Sequence, residues 1–180
     1  MVKTVVNAGA NDGFFSSNSY PFIRRNWSTL LVEPNPVAFA RARKLHEQNI
    51  RVTVLNVACG DAEEAADLIL FDGDDGGSQS GFATGCPHPG RPVTGSISVE
   101  VLPLEKILGR HEIDPHFGLL SIDTGGYDYK VLQGLNLERF RPRVIITERN
   151  ADDPAKFGFL RKHGYNLVGE LEFDTIWTTG

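Results

Sequence analysis

The stretch Val5-Val6-Asn7-Ala8-Gly9-Ala10-Asn11-Asp12-Gly13 decides how the rest of the chain is read. Val5-Val6 opens an apolar run of the kind that forms a buried parallel strand. The glycines behind it permit a tight turn and a close backbone approach to a ligand that any Cβ would block. Glu33 closes the next apolar run, Leu30-Leu31-Val32, about twenty positions after Gly13. At that separation the second strand of a βαβ unit offers a carboxylate to a ribose hydroxyl. Glycines alone mark any strand-to-helix turn, but together with Glu33 they point to a nucleotide-type cofactor.

Outward from this unit, strand-like runs at 3–7, 29–33, 51–57, 117–122 and 143–148 alternate with helical patterns. The alternation predicts an α/β fold, a doubly wound and mostly parallel sheet covered on both faces. A short helix is expected after Gly13, with Ser16 or Ser17 as N-cap and a stop near Asn26. Pro36 opens a second helix whose apolar positions Val37, Phe39, Ala42 and Leu45 run to Asn49, leaving Arg41, Arg43 and Lys44 to water. Between Asp72 and Ser96 the pattern dissolves into Gly, Asp, Ser and Pro, which predicts a flexible loop serving as a lid or substrate loop, or an insertion without a role. Ile97 to Leu102 reads as a strand and Pro103 to Gly109 as a short helix. Tyr165 to Gly169 and Phe173 to Thr178 flank a turn near Leu171, an antiparallel hairpin after the parallel strands. One domain over 1–180 is expected.

Composition narrows the function classes. At 180 residues and 41% hydrophobic, the chain is long enough for an independent core. A net charge of −5 and pI near 5.5 give no general attraction to nucleic acid or to anionic membranes, unless basic residues cluster locally. Cys59 and Cys86 lie far apart without a Cys-x-x-Cys pattern, which suits free thiols in the cytoplasm. No apolar stretch reaches the length of a membrane span. None of His46, His88, His111, His116 and His163 has zinc-site spacing; Cys86-Pro87-His88 comes nearest to a ligand pair, and no metal is expected.

A second site candidate is Leu119-Leu120-Ser121-Ile122-Asp123-Thr124-Gly125-Gly126-Tyr127-Asp128, an apolar strand that delivers Asp123 at its carboxyl end before two glycines and a helix. Asn7, Glu33, Asp123 and Glu148 all terminate apolar strands. In open α/β sheets ligands bind at that edge, so the four are expected to line one crevice. The alternative is that Asp123 and Asp128 only cap the following helix. A divalent ion on Asp123 and Asp128 is a further, minor reading.

These residues resemble the FkbM family of S-adenosylmethionine-dependent methyltransferases over almost the whole chain. The likeness is carried by Asn7-Ala8-Gly9-Ala10-Asn11-Asp12-Gly13-Phe14-Phe15-Ser16, Val32-Glu33-Pro34-Asn35-Pro36, Asn56-Val57-Ala58-Cys59-Gly60, Ile122-Asp123-Thr124-Gly125-Gly126-Tyr127-Asp128, Val131-Leu132-Gln133-Gly134-Leu135 and Arg141-Pro142. The resemblance implies a class I methyltransferase (Rossmann-like) fold, a seven-stranded sheet whose last strand runs antiparallel. It implies S-adenosylmethionine held by Asn7, Gly9, Ala10, Asn11, Asp12, Gly13, Glu33, Pro34, Asn35, Ala58, Cys59, Asp123 and Thr124. Within that set Glu33 takes the ribose hydroxyls and Val57-Ala58-Cys59 borders adenine, with Asp61 reaching toward its amine. The resemblance also implies O-methylation of a sugar or small natural product, for which Asp123, Asp128 and Glu148, carboxylates at the sheet edge, are the general-base candidates.

Two departures stand out. Where the family pattern reads Asp, any residue, Glu, Gly, this chain has Gly125 in the glutamate position, which predicts weakened activity or a noncatalytic cofactor-binding module. The chain also begins at the first strand, where relatives carry a covering extension, so a more open cleft is expected. A dinucleotide-dependent oxidoreductase is the remaining alternative, although Gly9 to Gly13 lacks the Gly-x-Gly-x-x-Gly spacing.

Overall fold

A computed structural model of the chain describes residues 2–71, 80–82, 92–150 and 152–180. Seven strands form the main sheet: β1 (Thr4–Ala8), β2 (Ser28–Val32), β3 (Val52–Leu55), β8 (Leu119–Ile122), β9 (Val144–Glu148), β10 (Tyr165–Glu170) and β11 (Asp174–Thr179). Their order is β10-β11-β9-β8-β1-β2-β3. All neighbouring pairs are parallel except those made by β11, which runs against both β9 and β10. β1 leads to β2 on one side and is flanked by β8 on the other, so the winding reverses at β1 and leaves a crevice beyond its carboxyl end.

Apolar strands and helix stripes explain the layering. In β1, Val6 and Ala8 face a large core that also holds Leu104 and Ile107 of α3 (Leu104–Arg110), Leu132 of α4 (Asp128–Gln133) and Leu160 of α5 (Asp153–Lys162). On the opposite face Ile23 of α1 (Tyr20–Ile23) packs with Ala10 and Leu31. α2 (Pro36–Leu45) begins at Pro36 as predicted, with Asn35 as its N-cap. α1 begins later than expected. Ser19 is its N-cap without a side-chain cap bond, while Ser17 Oγ accepts the Tyr20 N–H at 3.2 Å.

A second sheet, of β4 (Ala58–Gly60), β7 (Val93–Pro103), β5 (Glu64–Phe71) and β6 (Gly81–Phe82) in that order, corrects the expected strand and loop boundaries. The single strand expected over 51–57 is β3 alone, and Ala58–Gly60 forms β4 in the second sheet. β5 (Glu64–Phe71) and β7 (Val93–Pro103) make a long antiparallel ribbon, with β6 (Gly81–Phe82) on the outer edge of β5. The loop expected over 72–96 therefore contains β6 and the start of β7. Its remaining positions, 72–79 and 83–91, with Cys86 and His88, lie outside the described residues. Phe82 stacks on Tyr127 at 4.5 Å between ring centroids, joining this sheet to the loop before α4.

Several of the quoted sequence stretches meet in space. A Cβ at Gly134 would sit 1.7 Å from the Gly60 carbonyl oxygen, so the end of α4 can lie on β4 only if residue 134 has no side chain. Pro142 accepts the Tyr165 hydroxyl at 2.7 Å, pinning the start of β9 beneath the hairpin. Among the described residues no helix is long and apolar enough to cross a membrane.

Candidate functional site

The crevice beyond β1 is closed in by backbone. The N–H groups of Gly9 and Ala10 both bond to the Val32 carbonyl, at 2.9 and 3.1 Å, turning the chain over the end of β2. Gly9 has φ +81°, and a Cβ there would lie 1.7 Å from the Asp123 carbonyl oxygen. Asp123 N–H in turn donates to Ala8 O at 3.0 Å. Glycine is thus required where the β1 turn passes the end of β8. Asn7 donates through Nδ2 to Ser19 Oγ at 3.1 Å, tying the same turn to α1.

Glu33 is buried at the end of β2. Its carboxylate is oriented by two backbone donors, Asn11 N–H to Oε2 and Asn35 N–H to Oε1, both at 2.8 Å. Asn56 Nδ2 donates to the Glu33 and Pro34 carbonyls at 2.9 Å each. Asn11, itself at φ +50°, Glu33, Asn35 and Asn56 therefore form one bonded unit across three of the quoted stretches.

These strand ends open into a cleft of about 760 Å³. A depression of about 910 Å³ on α2 and β3 is larger but holds none of the strand-end carboxylates, so the 760 Å³ cleft is the candidate site. Of the residues expected from sequence, Asn7, Gly9, Ala10, Asn11, Glu33, Pro34, Ala58, Cys59, Asp123, Thr124 and Glu148 line it, as does Gly125. Asp12, Gly13, Asn35 and Asp128 do not. Asp12 Oδ1 accepts the Phe14 and Phe15 N–H groups at 2.9 and 2.8 Å and shapes the turn. Gly13 presents its carbonyl to His46 Nε2 at 3.3 Å. Asn35 Oδ1 caps α2 through Val37 and Ala38 N–H. Asp61, expected near adenine, is paired instead with Lys130 at 3.0 Å.

Asp128 is buried beneath the cleft and ties its floor together. Oδ1 accepts Thr124 N–H at 2.9 Å and Thr124 Oγ1–H at 2.7 Å, while Oδ2 accepts Glu148 N–H at 3.1 Å. Lys156 of α5, also fully buried, stands 3.9 Å from Oδ2 and 3.1 Å from Asp153 Oδ1, and donates to the Glu148 carbonyl. Burial pushes the Asp128 carboxyl up, and Lys156 and the Thr124 bonds oppose that shift.

Three other carboxyls reach the cleft from separate strands: Asp123, Glu148 and Asp174. Asp123 is open to solvent on one side, yet loss of solvation within the cleft, with repulsion from Glu148, Asp128 and Asp174, pushes it up to about 7. Glu148 is likewise pushed up to about 7, by desolvation and then by Asp128, with Lys156 opposing. Asp174 is raised by desolvation against a bond from Asn18. Across from them Ala58, Cys59, Leu68 and Phe82 make a mainly apolar wall. Burial raises the Cys59 thiol to about 12, which removes it as a nucleophile. Among the described residues no group of three or more His, Cys, Asp or Glu is placed to hold a metal ion.

Sequence reasoning missed Asp174 and Lys156. Asp174 begins a strand in the terminal hairpin, far in sequence from the other strand ends, and Lys156 sits in a short helix where lysine ordinarily faces water.

The strand order and the crevice at its reversal point define a class I methyltransferase fold. Among solved structures the chain is similar to methyltransferase FkbM from Methylobacillus flagellatus KT, with TM-score 0.58 and 14% identity over 98% of this chain and 43% of that one. It is also similar to precorrin-6y C5,15-methyltransferase from Geobacter metallireducens GS-15, with TM-score 0.52 and 13% identity over 99% and 80% of the two chains. The METTL16 methyltransferase domain gives TM-score 0.53 and 13% identity over 100% and 61%. No curated protein matches the sequence. The methyltransferase FkbM domain matches residues 7–167, and the chain belongs to that family. It spans 43% of the Methylobacillus chain, and S-adenosylmethionine is the cofactor that the family resemblance implies.

The residues fit that cofactor. The glycine cradle at Gly9, the backbone-held Glu33 and the apolar wall at Ala58 and Cys59 offer, respectively, room for close approach, an acceptor for hydroxyls and a surface for a flat ring.

Proposed function

We propose that this domain methylates a hydroxyl group on a sugar or small natural product. S-adenosylmethionine supplies an electrophilic methyl carbon on a sulfonium, so the protein's task is chiefly to position the acceptor and manage its proton. Gly9, Ala10, Asn11 and Glu33 hold the donor's polar parts, and Ala58, Cys59, Leu68 and Phe82 flank its ring. Asp123 and Glu148 take the acceptor side, with Asp174 beside them. One observation carries this reading: two carboxyls with proton affinities near neutral pH end adjacent strands in the same cleft as Glu33. Such groups are partly ionised at neutral pH and can accept a hydroxyl proton in the transition state. Cys59, buried and unreactive, fits a protein at work in the cytoplasm.

Gly125 supports a second reading, a weakened or noncatalytic binder. It lines the cleft at φ +60° and is followed by Gly126 at φ +88°, a path that side chains rarely follow. Asp174 weighs against that reading by adding another carboxyl to the same space. The test is radiolabelled methyl transfer from S-adenosylmethionine to a panel of glycans, polyols and phenols, with mass analysis of the product. A labelled ether lost in Asp123→Asn or Glu148→Gln is expected. Label on nitrogen or carbon, or on no acceptor although S-adenosylhomocysteine binds, would overturn hydroxyl methylation.

A further inference from the structure

At the strand amino-terminal edge, opposite the cleft, the charge of the molecule reverses. Between residues 20 and 55 the chain has six Lys and Arg against two acids, in a protein of net charge −5. One of those acids, Glu33, is buried on the cleft side. All six cations are exposed, and none forms an ion pair among the described residues. The fold gathers them: α1 ends next to Arg24, α2 ends through Arg43 and Lys44, and Arg51 precedes β3. Among these cations Ile50 is 99% exposed and Leu45 50%. Ile50 forms the ridge between two shallow depressions, of about 910 and 530 Å³, and lines both.

We propose that this ridge docks the domain on an anionic phospholipid surface, with Ile50 and Leu45 entering the interface and Arg24, Arg43, Lys44 and Arg51 meeting lipid phosphates. An apolar tip ringed by long unpaired cations matches a surface that is apolar beneath and negative above. A phosphate backbone of nucleic acid would use the cations but gain nothing from an exposed isoleucine. Glu47 is the single acid lining either depression among the described residues, too little to cancel the local charge. Docking here turns the cleft away from the bilayer. The inference is independent of the acceptor class proposed above.

Sedimentation of the full chain with vesicles tests it, using phosphatidylcholine alone and phosphatidylcholine with about 30% phosphatidylglycerol. The wild type should pellet with the anionic vesicles only and be released by about 0.5 M salt. Ile50→Asp, and separately Arg43→Glu with Lys44→Glu, should each lower the bound fraction about tenfold. These side chains are exposed, so circular dichroism and S-adenosylhomocysteine binding should stay unchanged. The proposal is overturned if wild type stays in solution, or if either variant pellets as wild type does. It is equally overturned if a single-stranded oligonucleotide displaces the vesicles at equal phosphate and binds Ile50→Asp undiminished, since the face would then read phosphates alone.

Discussion

A methyl group added at Gly9 would lie 1.7 Å from a backbone oxygen of Asp123, at a φ of +81° that alanine adopts only at a cost. Gly9→Ala should therefore destabilise the fold by at least about 2 kcal/mol in urea unfolding and abolish cofactor binding, because the β1 turn must move off β8. Asp123 and Glu148 give the residue scale its pH dependence. Both carboxyls are raised to about 7 when folded but titrate near 4 when unfolded. Between those pH values these two groups hold more protons in the folded chain, so their contribution to ligand-free stability is fullest below about pH 4 and falls as pH rises toward 7. Unfolding midpoints measured across pH 4–8 should show that decline, flattened in Asp123→Asn. Methyl transfer should change in the opposite sense, kcat/KM climbing through about pH 7 as the carboxylates ionise. Gly9, Glu33 and Asp123 were legible because each ends or follows an apolar run. Asp174 was not, since its relevance arises only when β11 inserts beside β9.

Between elements, Asp128 and Lys156 fasten the end of β8, the end of β9 and α5 around one buried charge pair. Removing Lys156 leaves the fully buried Asp128 carboxylate without a cation, so Lys156→Met should cost about 3–5 kcal/mol in urea unfolding. Asp128→Asn combined with Lys156→Met should cost clearly less than the sum of the single changes, and additive losses would show that the pair is not coupled. Lys156→Met should also move the kcat/KM limb to higher pH, since Lys156 lowers the proton affinity of both Asp123 and Glu148. The sequence read as parallel strands wherever the run was fully buried, as in β1, β2 and β8. β5 escaped because Glu64-Ala65-Ala66-Asp67 carries little strand propensity and forms its ladder on a half-exposed ribbon. β6, at two residues, has no sequence signal of its own.

At the scale of the molecule, one end of the sheet gathers carboxylates and the other gathers cations. The carboxyl edge was legible because winding rules bring strand ends to a common rim whatever their distance in sequence. The basic edge was not, since net charge sums over faces that only folding separates. The central claim is that the cleft beyond β1, β2 and β8 binds S-adenosylmethionine through the Glu33 unit. Calorimetric titration with S-adenosylhomocysteine tests it most directly, with NADH as control. Wild type should bind S-adenosylhomocysteine with about micromolar affinity and NADH not at all. Glu33→Gln, which keeps the side-chain shape, should bind at least about tenfold more weakly, near 1.4 kcal/mol. Absent binding by a folded wild type, or equal binding by Glu33→Gln, would contradict the account.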